Sequence, residues 1–140
     1  MSVVKSKRGE GQLLVITKAN ELATYTIKIC SNEKNFPKHY RWCITSKIVD
    51  AAIEISNNAN MANSVFVKDS SDYAIRKQYQ TKALASTYSL LSMMDISYRV
   101  FGIENSRMEY WTKIAVEVQT MLRNWRKSDM ERYKRHSYSR

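Results

Sequence analysis

Apolar residues recur along this chain at helical spacing in four successive blocks. Over residues 12–33, Val15, Ala19, Leu22, Thr26 and Ile29 step by four, three, four and three. Over 38–62 the stripe is Thr45, Ile48, Ala52, Ile55, Ala59 and Ala62. Over 70–100 it is Leu84, Thr87, Leu91, Met94, Tyr98 and Phe101, and over 105–130 it is Trp111, Ile114, Val118, Met121 and Trp125. Ile16, Ala23, Ile27, Val49, Leu90, Ala115 and Leu122 widen these stripes. A stripe that wide buries against more than one neighbour, as in a helical bundle. The expectation is an all-α protein, an antiparallel up-down four-helix bundle with short connections.

The breakers agree with four helices. Gly9 and Gly11 precede the first block, Pro37 separates the first two, and Gly102 separates the last two. Asp69, Ser70 and Ser71 offer N-caps for the third helix, and Asn105 or Ser106 for the fourth. The segment 64–67 favours strand but is too short to change the class. Three glycines and one proline in 140 residues disfavour a loop-rich sheet protein.

Charge adds a second theme. The net charge is +10, which predicts attraction to polyanions. The excess is concentrated at the ends. Residues 123–140 hold Arg123, Arg126, Lys127, Arg132, Lys134, Arg135 and Arg140 against Asp129 and Glu131, and residues 1–11 hold Lys5, Lys7 and Arg8 against Glu10. This divides the chain into a basic N-terminal arm (1–11), a bundle (12–127) and a basic C-terminal tail (128–140), the tail read as a flexible polyanion-binding arm. A third basic group lies at NFPKHYRW, residues 35–42, where Lys38, His39 and Arg41 follow Pro37 and Lys34 precedes it. Pro37 fits the first turn of the second helix, with Phe36 packing back on the bundle. Acids are the favoured residues in a first turn, so these cations suggest an anion site made with the helix N-terminus. Tyr40, Tyr133 and Tyr138 lie among basic residues and could stack on bases.

At these residues the chain resembles a known family. Phe36, Pro37, Lys38 and Arg41 form F-P-K-x-x-R, followed by I-V-D-A-A-I-E-I and by Ala59–Asn60. Arg76, Gln80, Ala83, Leu84 and Leu91 continue the pattern, and Glu117, Val118, Met121, Leu122 and Trp125 close it. The run is similar to the four-helix-bundle family that includes the accessory variability determinant of diversity-generating retroelements and the proteins encoded by intervening sequences in bacterial 23S ribosomal RNA genes. The resemblance spans residues 12–127. It implies an antiparallel four-helix bundle assembling as a ring-like homopentamer, without catalysis, in a bacterial or phage-encoded cytoplasmic setting. For the retroelement members it implies binding of RNA or DNA and of a reverse transcriptase. The segment 64–71 carries no motif of the family, and both basic ends lie outside it.

Other chemistry finds little support. Glu-x-x-His pairs of a di-metal bundle site are absent, since His39 and His136 are the only histidines. Asp50 and Glu54 share a helix face with Lys47 and read as a polar stripe. Glu117, between two valines, calls for a structural ion pair, with Arg76 as one candidate. Cys30 and Cys43 read as small buried hydrophobes and not as nucleophiles. No stretch approaches a membrane span, and the first eleven residues lack a signal-peptide core, so a soluble intracellular protein is expected. No catalytic residue, metal or cofactor is expected. The nucleic-acid-binding candidates are Lys34, Lys38, Arg41, Arg123, Arg126, Lys127, Arg132, Lys134 and Arg135. Arg76, Lys77 and Lys82 are candidates for a partner, a neighbouring subunit or nucleic acid. The competing reading is a protein-interaction scaffold with no direct nucleic-acid role.

Overall fold

The structure, a computed structural model, describes the backbone of residues 3–138 and the side chains of Gln12 and residues 14–134. Four helices account for nearly all of it: α1 (Val3–Ser31), α2 (Ser46–Ser64), α3 (Ser70–Phe101) and α4 (Asn105–Tyr138). Among the described residues there is no strand. α2 packs on α1 and α3, and α4 packs on α1 and α3, which closes an all-α four-helix bundle.

The apolar stripes set this arrangement. Val15, Ala19, Leu22 and Ile29 of α1, Ile48, Ala52, Ile55 and Ala59 of α2, Leu84, Leu90 and Met94 of α3, and Trp111, Val118, Leu122 and Trp125 of α4 are all buried in one core. Thr26 and Thr87 occupy stripe positions because their hydroxyls are satisfied inside. Thr26 Oγ1 donates to the Leu22 carbonyl at 2.7 Å and accepts from Trp111 Nε1 at 2.9 Å. Thr87 Oγ1 donates to the Leu84 carbonyl and accepts from Gln119 Nε2. Tyr98, on the same spacing, is instead exposed, and its hydroxyl donates to Asn105 Oδ1. Asn105 is thereby used as a partner for Tyr98 and not as a cap.

Helix ends follow local chemistry. Asp69 caps α3, its Oδ1 accepting from the Asp72 amide at 2.9 Å. Gly102 ends α3 in the left-handed conformation at φ +64°, where a residue without Cβ is unstrained. Asp69→Ala is expected to cost about 1 kcal/mol, read as a drop of a few degrees in Tm.

Two helices run across the expected boundaries. α1 runs through Gly9 and Gly11, so the N-terminal arm is helical from Val3. α4 runs without a break across residue 127 to Tyr138, so the backbone of residues 128–138 continues the helix. Asp129, counted with the tail, is fully buried. It continues the α4 stripe four residues beyond Trp125, and buried partners hold it there.

The entry to α2 also differs. Pro37 precedes a 3-10 turn, Lys38–Tyr40, and a π-turn, Arg41–Thr45; α2 proper begins at Ser46. Phe36 packs back on the core as expected, edge-on to Phe101 and Trp111 at 5.5 and 6.0 Å between centroids.

Candidate nucleic-acid interface

The candidate cations fall into separate groups. Lys34, Lys38 and Arg41 are exposed at the α1–α2 corner, and among the described residues none of them is in an ion pair. The first turn after Pro37 is three residues of 3-10 helix, so the expected helix N-terminus is not formed there. Any anion at this corner would be held by side chains.

The second group lies along α4. Arg123 Nη2 donates to Tyr88 Oη at 2.6 Å and Arg126 Nη1 to Thr81 Oγ1 at 3.3 Å. These bonds to neutral α3 hydroxyls orient both guanidiniums without neutralising them. Lys127 and Lys134 are exposed. Arg132 is half-buried, with Nη1 3.5 Å from Asp129 Oδ1 and its guanidinium over the Tyr133 ring. Arg135, Arg140, His136 and Tyr138, and the N-terminal Lys5, Lys7 and Arg8, lie outside the described side chains.

The corner and the α4 group are not one patch. Phe36 and Tyr40 of the corner touch Phe101 at the last residue of α3. Arg126 meets α3 at Thr81, twenty residues earlier. That separation is about 30 Å at 1.5 Å per residue. A single short ligand cannot bridge them, whereas a strand of nucleic acid can.

Arg76 does not stand at the surface. It is 5% exposed, and its Nε and Nη2 donate to Asp129 Oδ2 and Oδ1 at 2.6 and 3.3 Å. Gln80 Nε2 adds a third bond to the same carboxylate at 2.7 Å, and the guanidinium lies 5.2 Å from the Trp125 ring centroid. Arg76 shares the α3 core stripe with Gln80, Ala83 and Thr87, which fixes its burial. It therefore belongs to the packing of α3 on α4, unlike Lys77 and Lys82, which are exposed. Lys82 Nζ lies 5.5 Å above the Tyr79 ring. Glu117 pairs not with Arg76 but with Lys18, at 3.8 Å, and Lys18 also meets Glu21 at 3.3 Å. Glu21 foremost, through its hydrogen bond and charge, raises the Lys18 pKa.

The corner also holds a pocket of about 400 Å³ lined by the end of α1, the 38–45 turns and the start of α2. Trp42 stands at it 81% exposed. Thr45, placed by spacing on the core stripe, has a buried hydroxyl with no hydrogen-bond partner among the described residues. Neither role was legible from spacing, because the π-turn carries an extra residue and shifts register just before α2.

Of the aromatic candidates, Tyr40 packs on His39 and Phe101, and Tyr133 packs on Tyr73. Burial, foremost, and the Asp129 carboxylate raise the Tyr73 pKa. The two thiols divide. Cys30 is buried, and burial pushes its pKa up to about 12; Cys43, expected in the core, is exposed and its Sγ donates to the Tyr40 carbonyl. A thiol-reactive probe is expected to take up one equivalent at Cys43 in the native protein and two after denaturation, because the thiolate is the reactive form. Uptake of two equivalents without denaturant would contradict the packing around Cys30.

Among the described residues there is no cluster of three or more His, Cys, Asp or Glu side chains placed to hold a metal. No helix among them is long and apolar enough to cross a membrane. No family model matches the chain, and no match is found among curated proteins or solved structures.

Proposed function

We propose that this protein is a non-catalytic, nucleic-acid-binding accessory subunit that acts beside a retroelement reverse transcriptase in a bacterial or phage-encoded cytoplasmic system. The observation that carries the reading is the pair of cationic groups on a helical scaffold: exposed Lys34, Lys38 and Arg41 at the corner, and exposed Arg123, Lys127 and Lys134 with half-buried Arg126 on α4. The likeness of F-P-K-x-x-R and of the α4 run to the retroelement accessory family supplies the biological setting. Phosphates of RNA or DNA are the fitting ligand, since spaced Lys and Arg side chains bind a backbone without reading its sequence.

The antiparallel up-down topology is supported by the partners of α3 along α4. Arg76, Thr81, Thr87 and Tyr98 meet Asp129, Arg126, Gln119 and Asn105 in reverse order. Assembly into a ring-like homopentamer rests on the family likeness. Five copies would present five sets of cations to one strand and raise its avidity. Lys77 and Lys82 are the exposed α3 cations left for a reverse transcriptase or a neighbouring subunit.

A protein-interaction scaffold is the second reading. It is favoured by large apolar side chains left in water outside the corner pocket, among them Phe66 at 78% and Val100 at 61% exposed. A mobility-shift assay with unrelated RNA at physiological salt separates the two. The nucleic-acid reading expects a shift; the scaffold reading expects none. Light scattering tests the pentamer independently.

A further inference from the structure

We propose that the α1–α2 corner pocket receives one unpaired nucleobase of a single strand, stacked on Trp42, with the flanking phosphates held by Lys38 and Arg41. The inference rests on the nucleic-acid reading and adds to it a preference for single strands over duplex.

Trp42 is the first support. It is the most exposed large apolar side chain among the described residues, and the corner has rings it could have packed on. Tyr40 packs on Phe101, and Phe36 packs on both Phe101 and Trp111, yet Trp42 takes part in none of these contacts. The other two tryptophans are buried, Trp111 completely and Trp125 at 6% exposed. An indole face next to cations is the platform on which single-strand binders stack bases, and it accepts any base.

The pocket is the second support. Its volume, about 400 Å³, lies in the range of small-ligand sites. Ile27, Phe36, Pro37 and Val49 give it apolar walls suited to a flat ring, while Lys38 and Arg41 line it beside Trp42. The π-turn Arg41–Thr45 carries Arg41 and Trp42 together, and single π-turns in α-helical proteins often sit at functional sites.

The polar groups in the pocket point to the same occupant. Thr45 lines it with a hydroxyl that is buried and has no hydrogen-bond partner among the described residues. Glu33 and Asp50 also line it. Their carboxylates can accept from the ring N–H or amino groups that bases present. A paired base cannot enter, because its edge and both faces are already occupied in the duplex.

The test uses the full chain with labelled oligo-dT and with the oligo-dT/oligo-dA duplex of equal length. Oligo-dT is expected to change the emission of the one exposed tryptophan and shield it from acrylamide. Trp42→Ala is expected to weaken oligo-dT binding by about tenfold to a hundredfold, the range of one lost base stack, and to change duplex binding by less than about twofold. Trp42→Phe should recover most of the loss. If Trp42→Ala fails to fold, the emission and shielding of the wild-type protein decide alone. Unchanged oligo-dT binding in Trp42→Ala, or equal losses on both ligands, overturns the pocket assignment and leaves phosphate binding standing. An acidic peptide that shields Trp42 where oligo-dT does not also overturns it. If the wild-type protein binds neither ligand, the functional reading itself fails.

Discussion

Asp129→Ala is expected to destabilise the protein by about 3–5 kcal/mol, the cost of leaving one member of a buried ion pair uncompensated. The Asp129 side chain is wholly buried and Arg76 nearly so. The Arg76 guanidinium donates twice to this carboxylate, and Gln80 donates a third time. Removing the carboxylate strands a buried cation and orphans a buried amide whose Oε1 already lacks a partner among the described residues. Trp125, over the guanidinium, cannot replace an anion. A double substitution, Arg76→Met with Asp129→Leu, should recover most of the loss, since apolar pairs of similar volume often match a buried salt bridge. Chemical denaturation of the three proteins makes the comparison. A loss below about 1 kcal/mol in Asp129→Ala would mean that water reaches this pair and that the last turns of α4 are not docked on α3.

The second large effect concerns binding. Lys34, Lys38 and Arg41 replaced together by Gln are expected to lower affinity for RNA about a hundredfold at physiological salt. Each phosphate contact contributes a slope of about −0.7 to −0.9 to the log–log salt dependence, so three lost contacts sum to roughly two decades there. The slope itself should fall by about two to three. Arg123, Arg126 and Lys127 replaced together should behave similarly but lose slightly more stability, because two of them bond α3 hydroxyls. Combining both sets should be close to additive, given the length of α3 between them. Filter binding over a salt series reads all of these. Triple variants that bind as tightly as the wild-type protein would place the phosphate contacts elsewhere.

Much of the scaffold could be read from residue spacing. Ile48, Ala52, Ile55 and Ala59 bury as their period requires, and so do Trp111, Ile114, Val118 and Trp125. Spacing reports which face is inward; it does not report whether a polar residue there has a partner. Arg76 and Asp129 show the difference. Each lies on a core stripe, but they stand 53 residues apart in the chain and only folding joins them. Trp125 followed four residues later by Asp129 was the available signal. Cys43 and Trp42 were opaque for another reason: a π-turn adds one residue, and the register read from α2 does not extend back through it. The cationic character of the corner was visible as soon as Lys34, Lys38 and Arg41 were read together. Its helix N-terminus was not formed, because the chain after Pro37 enters α2 through a 3-10 turn.

All functional conclusions depend on one property, the retention of a phosphate backbone by exposed, largely unneutralised lysines and arginines. The most direct measurement is the equilibrium binding of the purified wild-type protein to an unrelated RNA across a salt series. Tight binding in dilute buffer that falls linearly on log–log axes, with a slope of several units, is the predicted result. Absence of binding at low salt, or binding that stays flat as salt rises, would contradict it.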